Sequence, residues 1–536
     1  ILVDGKENVG NVGGELVSSL TSLGTGTIVG PHINGVSGSY TPYKVTRVPL
    51  TVDVNSNLDN PGDAYLKSEF SSSSVTNNAV ISGSVAITTP ASLRDKSKLG
   101  IAQKNDSGQP RNDVILTNNG TINLSGTGMV GVVGEYTEIY NNGMIRTSGN
   151  DSVGILGSNG SLAQNNATGT IEIGNSGTGI AAINYLGATV PTTGTKTIEV
   201  VNNGMIKSVG TVAAIGILAI DNQAVSGAGV HSITLGNGSN IDVSSSAGTS
   251  ATDTGVGVYS KISNTLGSVT KVGSIIDNGS TITLNKSGVG FFSDGSDITA
   301  NGGSITTING QTGKGIFTNK NVNTSKTITL LGDKSIGIHA YRYYAVDGAV
   351  INNSGNIDFS NSIGSAGAFA SNNATVYNNA TITIGKSQID SPNPADRYYA
   401  LGMAAKNDGK IYNNNTINVT GDYGIGMFAE GAGSVAENHG TINLTAAGNL
   451  KGAYGMYLKS GAYGLNAGNI ISGRYSNDAT KEGLIGIAVL DGAILENTGT
   501  IDIDARDSYG VYIRNGIIKN YGTIRISGTG STGIRS

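Results

Sequence analysis

Apolar residues in this chain fall in short alternating runs, and the runs recur. An Ile, often closing an Asn-x-Gly-Thr-Ile motif, returns at Ile122, Ile145, Ile171, Ile206, Ile241, Ile282, Ile305, Ile328, Ile357, Ile382, Ile417, Ile442, Ile470, Ile501 and Ile524. The shortest interval is 23 residues, and the longer ones are what loop insertions into a basic unit produce. Between anchors stands a Gly followed by an aliphatic residue, as at Gly154 and Ile155, Gly337 and Ile338, Gly486 and Ile487, and Gly510 and Val511. A third alternating run follows, as in DGAVIN (347–352), NDGKIYN (407–413), DGAILEN (491–497) and NGIIKN (515–520). Each unit therefore predicts three short strands separated by turn residues.

Three strands in so short a unit predict an all-β chain, a right-handed parallel β-helix with one coil per repeat. Coils stack about 4.8 Å apart, so the fifteen anchors predict a rod of about 70 Å. Alternation sends each anchor inward. A single coil cannot bury its apolar side, whereas stacked coils share one core. Each buried Ile, Val or Leu then contributes about 1.5–3 kcal/mol.

Two columns bear on the register. The residues after successive anchors include Arg146, Glu172, Lys207 and Asp242, then Thr283, Thr306 and Thr329, and later Asp502 beside Arg525. Opposite charges on paired strands attract, and each exposed pair is worth about 0–1 kcal/mol. Four residues before the anchor stands Asn in 13 of 15 units, Ala167 and Thr324 being the exceptions. Stacked Asn side chains predict a hydrogen-bonded ladder, and Gly two residues later frees the corner.

The regular rod is read over 96–536. Residues 1–95 hold five of the nine prolines and are read as an irregular β-rich part or the first coils. There PYKVTRVPLTVDV alternates out of phase, and NNAVI (77–81) is the first recognisable coil. Insertions stand out at GATVPTTGTK (187–196), SSSAGTSATD (244–253) and SQIDSPNPADRYYA (387–400). Loops on a rigid scaffold are where binding usually resides.

Composition narrows the partners. With 82 Gly among 536 residues and 13% charged residues, the palette is also that of a flexible linker, and only the phase of the apolar positions argues for a fold. A net charge of −4 with no basic face argues against nucleic acid. The absence of Cys removes disulfides and thiolate metal sites, and fits export through an oxidising periplasm. No apolar run reaches membrane-spanning length, the longest being VAAIGILAI at 212–220. The chain starts without Met and stops in mid-pattern, so it is read as an excerpt of a longer protein.

Candidate chemistry is sparse. His32, His231, His339 and His439 lie in different units without ligand spacing and are read as scattered surface or turn residues. No metal or cofactor is predicted. NDSGQP (105–110) looks like a serine-protease loop without its His and Asp partners, and is read as a plain loop. A β-helix can also be a polysaccharide lyase or hydrolase that gathers carboxylates from neighbouring coils. The densest acidic group is Asp502, Asp504 and Asp507. Asp502 belongs to the charge column and the other two read as solvated turn residues. The chain is therefore read as non-enzymatic, with a glycan-active enzyme as the alternative. The 22 tyrosines gather in the later half. Arg342, Tyr343 and Tyr344, with Arg397, Tyr398 and Tyr399, form two Arg-Tyr-Tyr stretches and are the candidate ligand-binding residues, since Tyr and Arg dominate binding hot spots. Tyr is also simply a good strand residue.

The units NNGTINLSGTG (118–128), ENHGTINLTAAG (437–448) and DSYGVYIRNG (507–516) give the regular region a resemblance to passenger domains of Gram-negative type V autotransporters, above all the very large fusobacterial adhesins. Each motif is degenerate, so the number of copies carries the resemblance. It implies display at the cell surface and anchoring only through a C-terminal outer-membrane β-barrel that is not in this sequence. It also implies attachment to host surface proteins or glycans and to other bacterial cells, in co-aggregation and biofilm. It supplies no binding motif to place on numbered residues. A two-partner-secreted or phage-tail β-helix would differ mainly in anchoring.

Overall fold

The computed structural model describes residues 114–536 apart from 185–196, 212–213, 222–230, 245–254, 263–271, 286, 309, 342–347, 391, 394–396 and 477. Before them it describes 15–22, 28–29, 39–40, 43–49, 51–53, 64–68, 75–78, 80–83 and 99–104. Among the described residues every regular element is a β-strand. The chain forms two compact units, Ile1–Ile282 and Thr283–Ser536.

Each unit is a right-handed parallel β-helix, the hand that parallel crossovers adopt. In the first unit the anchors pair as Ile122↔Ile145, Ile145↔Ile171, Ile171↔Ile206 and Ile206↔Ile241. In the second they run from Ile305↔Ile328 to Ile501↔Ile524 without a slip. Strands of this anchor sheet bury alternate residues, as Thr121–Leu124 does with Ile122 and Leu124 at 0% exposure. The charge column follows the same register. Arg146 Nε lies 3.4 Å from Glu172 Oε2, and Arg525 Nη1 lies 3.4 Å from Asp502 Oδ2.

The Gly-aliphatic runs form the second sheet, and close approach explains their glycines. A Cβ on Gly426 would stand 2.6 Å from both Gly455 O and Ile442 Cγ2. The glycine thus lets this sheet settle onto the anchor of the next strand.

The third sheet carries the Asn ladder, buried in every rung but the last, Asn520. In the first unit Asn77, Asn118, Asn141 and Asn165 each donate from Nδ2 to the Oδ1 of the next rung at 2.8–2.9 Å, ending at Asn202. In the second the chain of bonds runs through Asn353, Asn378, Asn413, Asn438, Asn466, Asn497 and Asn520. The four-residue offset misassigns part of it. Asn165 fills the rung that Ala167 was expected to break. Asn237, Asn278 and Asn301 lie outside the rungs, which are held by Leu235, Asp277 and Ala300. Beside the polar gap at Thr324, Lys326 is fully buried, and its Nζ donates to Gly302 O at 3.2 Å.

Near the start, Val75–Asn77 and Val80–Gly83 pair in register with Ile115–Asn118 and Thr121–Leu124, as NNAVI predicts. The stretch expected to be out of phase divides. Tyr43–Pro49 pairs antiparallel with Glu15–Ser22, whereas Thr51–Asp53 is already parallel to Val80–Gly83.

Candidate functional site

The corners that follow four successive anchor strands in the second unit, Ile357–Phe359, Ile382–Ile384, Thr416–Val419 and Thr441–Leu444, are built of small residues. Ser360, Asn361, Ser362, Gly385, Thr420 and Gly421 leave an open groove of about 300 Å3, completed by Ile363, Lys386, Asp422 and Asn449. Four coils make it roughly 14 Å long. Its volume is at the lower end of ligand clefts. The lining is held in place. Ser362 Oγ donates to Leu330 O at 3.1 Å and Thr420 Oγ1 to Ile384 O at 2.8 Å. Asp422 Oδ1 accepts from Lys451 N at 2.8 Å.

The insertion at 387–400 leaves and re-enters beside this groove. Its neck is an antiparallel bridge in which Gln388 and Tyr398 exchange backbone bonds of 2.7 and 2.8 Å. Ser387 ties the neck to the next coil, since its Oγ donates to Tyr423 O at 2.7 Å and accepts from Ala400 N at 2.8 Å. Tyr398 packs over Gly364, half-buried, with Lys334 Nζ 3.7 Å from its ring centroid. That geometry makes Tyr398 a clamp for the loop. Arg397 is exposed, and Tyr399 is 51% exposed. The expectations for Arg342, Tyr343 and Tyr344, and for the insertion at 187–196, fall outside the described residues.

Tyr399 borders a cluster drawn from the tyrosines that gather in the later half of the chain. Burial raises the Tyr454 phenol, and the neighbouring phenols of Tyr457, Tyr399, Tyr512 and Tyr423 add to the effect. Tyr454 and Tyr457 meet edge to face at 5.3 Å, and Tyr457 stacks on Phe428 at 5.8 Å. Register extends this into a column: Phe292, Phe317, His339, Phe369, Ala404, Phe428, Tyr457, Ala488 and Tyr512. Every member is the second residue after the glycine of a Gly-aliphatic run, a signal that was available in the sequence. Phe292 and Phe317 stack at 5.5 Å with 14° between planes, so their ring faces serve each other.

Two histidines are not the surface residues expected. His231 is fully buried with Nε2 2.6 Å from Ser260 Oγ, and burial lowers its pKa to about 4. His339 lies in the aromatic column, and burial, then the Lys314 charge, lower its pKa to about 4. His439, exposed, pairs with Glu437 at 3.0 Å.

Of the acidic group, Asp507 is an exposed turn residue as expected, and Asp504 is not. Asp504 is buried at 7% exposure. A β-bulge between Ile471 and Arg474 sets Arg474 beside both carboxylates, 3.6 Å from Asp502 and 3.7 Å from Asp504. With Arg525 on Asp502, both acids are charge-balanced by guanidinium groups. Asp507 sits in a turn at φ 48°.

These features define a parallel β-helix. Residues 318–451 match the family model described as the BigA third pectate lyase-like domain, which is 134 of the 536 residues and includes the groove and the insertion. No curated protein and no solved structure matches the chain.

Proposed function

We propose that this chain is part of a bacterial surface adhesin, a β-helical passenger that presents binding loops. The observation that carries the reading is the placement of the 387–400 insertion beside a preformed polar groove on an otherwise regular scaffold. BigA, whose domain model matches the same residues, is an autotransporter-type adhesin. The repeat style supports kinship with the large fusobacterial passengers. The partners are host surface proteins or glycans and neighbouring bacterial cells. Display of many copies turns weak single contacts into firm attachment.

A glycan-active enzyme is the second reading, favoured by the convergence of Asp502, Asp504 and Arg474. The pairing of both carboxylates with arginines fits a structural ion cluster better.

The test is attachment of chain-coated beads to epithelial cells and to bacteria, with soluble chain as competitor. Saturable attachment is expected, with a loss of at least fivefold when Gln388 to Tyr399 are replaced by two glycines. Attachment indifferent to the competitor would sink the adhesin reading. Release of reducing ends from a polysaccharide, abolished by Asp504→Asn, would establish the second reading.

A further inference from the structure

We infer that the corner groove binds an acidic glycan, with the anionic group of one sugar at Lys386. The inference deepens the adhesin reading and rests on it. Chemistry of the lining comes first. Of ten lining residues only Ile363 is apolar, and the rest offer hydroxyls, amides, backbone and two charges. Such a surface suits a hydroxyl-rich ligand and gives nothing to an acyl chain or an apolar peptide.

The cations around the groove divide into two sets. Away from it, lysines are neutralised. Lys406 and Lys459 each lie 2.7 Å from Glu430, and Lys451 lies 2.9 Å from Glu482. Burial pulls the Glu430 carboxyl up, but the two ammonium groups hold it below the usual range. At the groove the pattern stops. Lys386 is exposed and has no acidic partner among the described residues. Lys334, above Tyr398, has none either. Asp422 is the single acid in the lining, and Lys451, through its backbone N–H, already occupies one of its oxygens. The lining thus carries one charge of each sign, and the Lys386 ammonium is in no ion pair among the described residues. An anion at Lys386 gains a charge-assisted hydrogen bond that none of the described residues supplies.

Geometry matches a short oligosaccharide. The groove runs along the stacking axis over four coils, so its polar groups repeat at the strand spacing. Tyr399, half exposed on the glycine-sheet side, gives one aromatic surface for a sugar ring. The insertion's neck, tied through Ser387, fixes Tyr399 relative to the groove before any ligand arrives. Preorganised groups spend less entropy on binding.

The experiment is calorimetric titration of the full chain with two matched pairs. One is a sialylated trisaccharide and its asialo form; the other is a uronic-acid tetrasaccharide and its carboxyl-reduced form. The acidic member of at least one pair should bind at least tenfold more tightly than its neutral counterpart, and which pair responds identifies the source of the acid. Lys386→Glu should remove that preference, Lys386→Arg should keep it, and Tyr399→Ala should weaken the binding at least fivefold. Unchanged thermal melting of each variant shows an intact fold. Equal affinity for acidic and neutral members overturns the acidic preference and leaves the adhesin reading standing. Lack of binding to all four sugars, with bead attachment intact, overturns the groove as a glycan site. Loss of bead attachment as well overturns both.

Discussion

Asn413 and Asn414 are neighbours in sequence and opposites in environment. Asn413 is fully buried, accepts from Asn378 at 2.9 Å, and donates to Asn438 at 2.9 Å and to Asn415 O at 3.0 Å. Asn414 is exposed and donates to Asn379 at 2.9 Å. Bond lengths match, so burial decides their worth. Asn413→Ala strands a buried donor and a buried acceptor and should cost about 2–4 kcal/mol, whereas Asn414→Ala should cost under about 0.5 kcal/mol. Parallel urea titrations of the two variants check this, and equal losses would refute the buried ladder. His339 gives a prediction in pH. Its folded pKa of about 4 lies below the ordinary 6.5, so the unfolded chain takes up the proton first. The stability it contributes is present above pH 6.5, is lost as pH falls towards 4, and changes no further below that. The full loss is roughly 3 kcal/mol. His231 adds the same trend. His339→Phe keeps a ring between Phe317 and Phe369 and removes the titration, so its melting temperature should fall less steeply than that of the parent between pH 6.5 and 4.5. Identical slopes would mean that His339 titrates normally.

At the scale of strands, the glycine sheet is the stringent element. Gly426→Val would drive a side chain into Gly455 O and the Ile442 methyl, and neither can retreat without moving a neighbouring coil. A loss of about 1–3 kcal/mol in chemical denaturation is expected, against near-neutral behaviour for Gly448→Ala, where a Cβ meets nothing within 4 Å. The anchor strands were legible because a period-two pattern fixes which residues face inward, and one slip would expose every anchor. The Asn rungs were less legible because the corner between rung and anchor varies in length. It is six residues from Asn165 to Ile171 but four from Asn202 to Ile206. The groove was illegible for a different reason. It is made by side chains that four corners lack, such as at Gly385 and Gly421, and sequence patterns report residues that are present. Likewise Tyr398 and Tyr399 look equivalent in the chain, yet the neck bridge turns one inward under Lys334 and leaves the other half exposed.

At the scale of the whole molecule, scaffold and site depend on different forces, and salt separates them. Only 13% of residues are charged. The ion pairs that line the coils keep their cations in solvent, with Arg525 at 64% and Arg146 at 48% side-chain exposure. Pairs of that kind are worth about 0–1 kcal/mol, and less when screened. The core is mainly buried Ile, Val, Leu and Ala with neutral Asn rungs, and charged side chains such as Lys326 and Asp277 are few within it. Raising NaCl from about 0.05 M to about 1 M shortens the screening length to about 3 Å. The melting temperature should then move by no more than about 2 °C, because each pair is a small part of a large unfolding entropy. Binding of an acidic glycan at Lys386 should instead weaken at least fivefold over the same range. A scaffold that melts much earlier in high salt would show that the charge columns, rather than the anchors, hold the coils together. Binding that ignores salt while the scaffold stays intact would remove Lys386 from the recognition and return the groove to a polar corner of the fold.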